Sequence, residues 1–409
     1  MIAAGIVFAL TYLVLSFPNI PGIHLRRPAA ALLGAVAVVV LGVVKLDEAY
    51  RLVDLDTLVF ILGMMIIIGY LEISGFFEVV ESLILERART TRQLVALVIA
   101  SSGVLSALFM NDTICLMVTP LLVRLLRRAG RPMTPYLIAL ATSSNIGSAI
   151  TPMGNPQNMI VAVHSRIPFL EFSGKLLPLG IVGLIANWAI LVRLYPAELG
   201  PGIPFAAGER SSVPTRHGRL FWVCQAAVGL LLVLFALDVH PPLAAISVAA
   251  LLILAGATRP RSAFRHIDWE LLLMFAGLFV VMGGVRESGL LARLIDPLSA
   301  AATTSLAGRT TLLALASALL SNVVSNVPAV VFLVNAIPPL GGESSLWLAL
   351  AATSTFAGNL TIIGSVANLI VFEGARDEAK VGFWEYFRAG APLAVVLVLA
   401  SALWLAWLG

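Results

Sequence analysis

The stretch that decides the fold is Thr142-Ser143-Ser144-Asn145-Ile146-Gly147-Ser148-Ala149-Ile150-Thr151-Pro152-Met153-Gly154-Asn155-Pro156-Gln157-Asn158, inside an apolar run over 135–162. Two prolines, two glycines and three asparagines cannot continue one helix through lipid. Proline removes an amide donor and its ring clashes with the preceding turn. The helix must therefore unwind and free backbone carbonyls and amides. Asn155 before Pro156 reads as an N-cap followed by proline at the first helical position. A helix restarting there aims its positive end at the middle of the bilayer. A second break, Gly358-Asn359-Leu360-Thr361 with Gly364-Ser365-Val366-Ala367-Asn368, repeats the pattern, and Ser365 is expected to take the capping role.

Composition puts both breaks in a membrane. The 409 residues are 59% hydrophobic and 12% charged, with mean hydropathy +0.99. A soluble domain carries about 25% charge, so this chain cannot furnish a charged shell. The pI near 9.3 does not indicate nucleic acid, because the basic residues sit in short loops between apolar spans. Cys115 and Cys224 lie in apolar segments and make no disulfide framework or metal cluster, and the histidines form no ligand set. No cofactor, metal centre or enzyme motif is expected. The first segment lacks a basic n-region and reads as a retained span.

Full spans read as 2–21, 28–47, 56–74, 135–162, 174–195, 219–238, 242–257, 268–286, 345–372 and 389–408. The stretches 93–126 and 309–338 are too long for one span. Each has a polar kink, at Asn111-Asp112 and at Ser325-Asn326 with Pro328, and reads as a re-entrant hairpin. With that layout 19 of the 26 Lys and Arg fall on the cytoplasmic side and seven outside, as the positive-inside rule requires. Both termini come out on the outer side. The expected location is a bacterial or archaeal inner membrane.

The chain repeats itself. Asp54–Gly75 resembles Asp268–Gly289 at an offset of 214, and both end in Ser-Gly. Leu105-Ser106 through Asn111 matches Leu320-Ser321 through Asn326 at 215. Asn145 matches Asn359 at 214, and Gly154–Asn158 matches Gly364–Asn368 at 210. The expected fold is an all-α polytopic membrane protein of two repeats, 1–195 and 219–409, joined by a cytoplasmic linker over 196–218. Each repeat holds five spans plus one hairpin. Five is odd, so the second copy is inverted, a transporter hallmark. Pieces at 76–92 and 374–388 read as interfacial and amphipathic.

A hairpin tip and a break from one repeat can enclose one polar half-site. Half-helix N-termini suit an anion; unwound carbonyls and Asn, Ser or Thr oxygens suit Na⁺ or a hydroxylated solute. Asn155, Ser365 and Asn326 also have a plain reading as caps, and Gly147, Gly154, Gly358 and Gly364 as backbone permissions. Four breaks at membrane depth are costly unless they line a cavity. Asp112 is the one carboxylate placed deep in the membrane. It reads as an ion or proton coupler, against an N-cap stabilised by the helix dipole. Asp54, Asp56, Asp268 and Glu270 read as interfacial caps.

Asn-Ile-Gly with Thr-Pro-Met-Gly-Asn-Pro-Gln-Asn at 145–158, and Gly-Asn-Leu-Thr-Ile-Ile-Gly-Ser-Val-Ala-Asn at 358–368, resemble the paired signatures of the ion transporter superfamily. The nearest branch is the arsenite-permease-like and NhaD-type group; divalent anion/Na⁺ symporters and citrate transporters are more distant. The likeness covers nearly the whole chain. It implies a scaffold and a transport domain per subunit, a homodimer, H⁺ or Na⁺ as coupling ion, and, on the arsenite side, a peripheral ATPase partner for which the sequence offers no support. It implies one half-site of Asn111, Asp112, Thr113, Asn145, Gly147, Thr151, Gly154 and Asn155, with Na⁺ near Asn111, Asp112 and Asn145. The other would use Ser325, Asn326, Asn359, Thr361, Gly364 and Ser365. The symporters carry Ser-Asn-Thr at both tips. Here the tips read Asn-Asp-Thr and Ser-Asn-Val, with Met110 before the first, which favours the arsenite side. The expected function is secondary transport of a small anion, oxyanion or hydroxylated metalloid. A Na⁺/H⁺ antiporter and a Na⁺-coupled carboxylate symporter are the alternatives, with a channel behind them.

Overall fold

The computed structural model describes residues 1–16, 27–205, 218–255, 260–301 and 305–409. The end of the first expected span, most of the 196–218 linker, and His24 and His217 lie outside the described residues. The described residues form helices α1 (Ile2–Ser16), α2 (Arg27–Val40), α3 (Leu46–Leu52), α4 (Leu55–Ile73), α5 (Phe76–Arg87), α6 (Thr91–Leu108) and α7 (Asn111–Arg128). Then come α8 (Thr134–Ser148), α9 (Pro156–Ser165), α10 (Phe169–Leu194), α11 (Pro196–Leu199), α12 (Gly218–Ala236), α13 (Pro241–Ala255) and α14 (Pro260–Phe264). The last are α15 (Trp269–Glu287), α16 (Leu290–Ala301), α17 (Leu306–Val324), α18 (Asn326–Leu333), α19 (Ser344–Ala357), α20 (Val366–Gly374) and α21 (Phe383–Leu408). Among the described residues seven helices are long and apolar enough to cross a membrane.

Local chemistry sets the boundaries. Asp54 caps α4, accepting from the Thr57 amide at 3.1 Å, and Asp268 caps α15, accepting from Leu271 at 2.9 Å. Both helices end at the repeated Ser-Gly, where Gly75 (φ +78°) and Gly289 (φ +72°) take the left-handed conformation that closes a helix. The expected hairpins are the pairs α6/α7 and α17/α18. Their turns are two residues, Phe109-Met110, and one residue, Ser325. Ser325 sits at φ +77°, a conformation costly for a side-chain-bearing residue and typical of functional positions. Both expected breaks are present: α8 stops at Ser148 and α9 restarts at Pro156, while α19 stops at Ala357 and α20 restarts at Val366.

Two expectations shift. The span expected over 28–47 ends as a helix at Val40. The 374–388 piece is a turn through 375–382 followed by the start of α21, rather than an amphipathic helix. The beginning of the linker is ordered against the first hairpin: Thr91 N donates to Ile203 O and Phe205 N to Arg89 O.

The helices pack in two groups. In one, α2 lies on α15 and α4 on α13, with α1 on α2 and α12 on α13. In the other, α6 lies on α8 and α17 on α19, flanked by α10 and α21. The partners thus correspond element by element between the repeats. At the centre, α8 is buried from Pro135 to Ser148 and α19 from Ser345 to Ala357. Burial on every side is what a central helix shows. Small residues permit it: a Cβ at Gly147 would run into the Gly103 backbone of α6, so this crossing requires glycine at 147.

Candidate transport site

The two hairpin tips meet the two breaks. Asn111 N donates to Gly154 O at 2.9 Å, and Thr151 Oγ1 donates to Ala107 O. In the second half, the Asn326 amide donates to both Gly364 O and Ser354 O at 3.0 Å. Asn155 is an N-cap: its Oδ1 accepts from the Asn158 amide at 2.8 Å, with Pro156 first in α9. Ser365 occupies the equivalent position but makes no capping bond. Its hydroxyl turns instead to Asn145 Oδ1, at 2.9 Å.

Asn145 joins the halves. Its Oδ1 also accepts from Asn111 Nδ2 at 3.1 Å. Its Nδ2 donates to Asn359 Oδ1 at 2.9 Å and to Asn368 Oδ1 at 3.0 Å. This one amide therefore ties a hairpin tip of the first half to the break of the second, with every partner buried. Two further asparagines, Asn158 and Asn368, hold the unwound segments. Asn158 Nδ2 donates to Ser148 O and Thr151 O, ten and seven residues back. Asn368 Nδ2 donates to Gly358 O and Thr361 O at the same spacings. Both close the sequence pattern Gly-x-x-x-Asn, 154–158 and 364–368, and that repetition was the available signal for their role. Glycine at 154 is needed because a Cβ there would strike Ser148 O.

A cavity of about 180 Å³ opens at the seam between the helix groups. Four half-helices begin at its wall, α7 at Asn111-Asp112, α9 at Pro156-Gln157, α18 at Ser325-Asn326 and α20 at Ser365-Val366. The starts of α2 (Arg27) and α15 (Asp268, Glu270) complete it. Of the residues expected at the site, Asn111, Asp112, Ser325, Asn326 and Ser365 line this cavity. Asn145, Gly147, Thr151, Gly154, Asn155, Asn359, Thr361 and Gly364 lie outside the lining, as does Thr113 on α7. Arg27, Gln157, Asp268 and Glu270 were not expected there. Their signal is also a repeat: Arg27-Pro28 matches His240-Pro241, and Asp268-Trp269-Glu270 matches Asp54-Leu55-Asp56.

Two buried acceptors beside the first break have no hydrogen-bond partner, Asn111 Oδ1 and Asn158 Oδ1. Beside the second break, the buried Asn359 Nδ2, a donor, has no hydrogen-bond partner. Among the described residues no cluster of three His, Cys, Asp or Glu is placed to hold a metal ion.

Helix breaks paired with hairpin tips around a small polar cavity, inside an all-helical membrane chain, define a membrane transporter. The chain belongs to the citrate transporter family (CitMHS), whose model matches residues 11–356. The silicon efflux transporter LSI3 of Oryza sativa is 29% identical, with 97% of this chain and 96% of that protein covered. An uncharacterized transporter of Mycobacterium tuberculosis is 32% identical over 98% of both chains. The putative transporter arsB of Dictyostelium discoideum is 23% identical over 96% of this chain and 90% of its own length. The crystal structure of the Alcanivorax borkumensis YdaH transporter shares the fold, with TM-score 0.56 at 16% identity, covering 99% of this chain and 96% of that one.

Proposed function

We propose that this protein is a secondary transporter that carries a small oxyanion or hydroxylated metalloid, coupled to H⁺ or Na⁺, by alternating access between inverted repeats. The observation that carries the reading is the convergence of four half-helix N-termini on one cavity that also holds Asp112. Backbone amides at helix starts bind oxyanions and hydroxyl oxygens, and an intramembrane carboxylate supplies the coupling charge. The orphaned Asn111 and Asn158 oxygens, on the side of Asp112, suit the coupling cation. The likeness to a silicon efflux transporter and to arsB supports a small hydroxylated solute over a tricarboxylate. In the topology that the charge bias favours, Arg27 and Asp268 lie at the cytoplasmic ends of their helices, so the cavity opens inward.

Counterflow of labelled arsenite, silicic acid and citrate in proteoliposomes tests this. Exchange of one of the first two, dependent on pH or Na⁺, is expected. Exchange of citrate alone would refute the solute class. A Na⁺/H⁺ antiporter is the second reading, and it gains from the three carboxylates that line the cavity, Asp112, Asp268 and Glu270. Na⁺-driven proton movement with no solute present would select it.

A further inference from the structure

A second cavity lies away from the transport site, between α5 and the first hairpin. Helix α5 packs on α6 and α7 and turns one face toward them, Phe77, Val80, Glu81 and Ile84, at helical spacing. The groove between them runs along 98–105 of α6 and 118–125 of α7. At two turns of each helix, its length is on the order of 10 Å. The wall is apolar except for Ser101 and Glu81, and Ser101 Oγ already donates to Val98 O at 3.2 Å. Past the Phe77 and Leu105 end, Phe76 stands edge-on to Phe109 at the hairpin turn, with ring centroids 6.0 Å apart.

The other end is charged. Arg124 and Arg128 follow Leu121 and Leu125 by three residues, which puts them on the same stripe of α7. Both are exposed, and both act electrostatically on Glu81. Their neighbours are already paired: Arg127 Nε donates to Glu378 Oε2 at 3.1 Å, and Arg131 stands 3.7 Å from Glu198. Among the described residues Arg124 and Arg128 make no ion pair of this kind. Two guanidiniums facing one groove carboxylate leave a surplus of positive charge there.

We propose that this groove binds an anionic phospholipid, with one acyl chain laid along α5 and the hairpin and the phosphate held by Arg124 and Arg128. Basic pockets between membrane helices on the cytoplasmic side take anionic head groups, and the topology that the charge bias favours puts this end of α7 on that side. Positive-inside bias by itself accounts for arginines at this surface. It does not account for an apolar groove that leads to two of them and ends at a hairpin turn. An acyl chain matches the wall, and a phosphate matches the surplus charge. The site is separate from the transport cavity and does not depend on which solute the protein carries.

Photolabelling tests it on the full chain in phosphatidylcholine vesicles that contain phosphatidylglycerol with a diazirine in its acyl chain. After illumination, digestion and mass spectrometry locate the adducts. Labelling is expected to concentrate on 77–84, 98–105 and 118–125, at least fivefold above the outward-facing helices α10 and α12. Unlabelled phosphatidylglycerol should displace it, and added phosphatidylcholine should not. Arg124→Gln combined with Arg128→Gln should lower the groove labelling about tenfold. Both side chains are exposed, so the variant should fold, and its unfolding midpoint in SDS confirms that. Labelling spread evenly over the outward-facing helices, or displaced equally by phosphatidylcholine, would mean ordinary surrounding lipid and overturn the proposal. Undiminished groove labelling in the folded double variant would overturn it as well.

Discussion

Replacing Asn145 by alanine removes four hydrogen bonds at once, those to Asn111, Asn359, Asn368 and Ser365. Side-chain hydrogen bonds inside membrane proteins average about 0.6 kcal/mol, and those in soluble proteins about 1 kcal/mol. Four of them give a loss between about 2 and 4 kcal/mol. The adjacent cavity can admit water to the abandoned partners, which holds the cost within that range. Asn145→Asp sharpens the test. The acceptor side survives, so Asn111 and Ser365 keep their partner, but the donor side becomes a carboxylate oxygen facing the carbonyl oxygens of Asn359 and Asn368. Aspartate should therefore destabilise at least as much as alanine despite its closer shape. The assay is reversible unfolding in mixed micelles by increasing SDS. A loss below about 1 kcal/mol for alanine, or an aspartate variant as stable as the native chain, would show that the four bonds do not join the two halves.

Gly147→Ala should lower stability by about 1 to 3 kcal/mol, the usual cost of overpacking, because its Cβ meets the Gly103 backbone and neither helix has a side chain to move aside; the same unfolding titration checks it. Asn158→Ala and Asn368→Ala should each abolish exchange at a fixed protein yield, since each amide holds two carbonyls of an unwound segment; normal exchange in either would show that the breaks keep their shape without it. Tyr12→Phe removes a 3.0 Å bond from α1 to Pro328 O in the second hairpin. Its loss should cost about 1 kcal/mol of stability, read in the same unfolding titration.

The sequence revealed the parts that break helix rules and concealed those that depend on how helices lie together. Prolines and asparagines at 145–158 placed the restart of the first broken helix at Asn155-Pro156, because a proline ring and a missing amide act locally. Asp54, Asp268 and the Ser-Gly ends were legible for the same reason. The cavity wall was less so. Asp268 reads as an ordinary cap, and it is one; nothing local says that its helix start also faces two hairpin tips. Asn145 reads as a ligand because it is polar and deep. It stands behind the lining because its four hydrogen-bonding positions are taken by residues up to 223 positions away, a pairing that no periodicity announces. Ser365 sits where a cap belongs, yet a stronger partner at Asn145 draws its hydroxyl away.

The charge of the cavity leads to the last prediction. Each helix N-terminus carries about half a positive charge, so the four together supply on the order of +2. Arg27 adds one, and Asp112, Asp268 and Glu270 subtract three when all are ionised. The wall is then close to neutral, and one proton decides which sign of solute it favours. Asp268 and Glu270 stand exposed at the mouth, where water and salt screen them. Asp112 is at a hairpin tip beside the orphaned Asn111 oxygen. Protonating Asp112, or holding a cation beside it, should therefore make the cavity accept an anion, and losing that charge partner should release it. Asp112→Asn fixes the neutral form. It should retain solute binding, forfeit the dependence of transport on pH and Na⁺, and cost no more than about 1 kcal/mol of stability, the value of an acid in the first turn of a helix. Counterflow across a pH series, beside net uptake under a pH or Na⁺ gradient, separates the two behaviours. An asparagine variant that still accumulates solute against a gradient, with the native pH and Na⁺ dependence, would move the coupling charge away from Asp112 and onto the acids at the mouth.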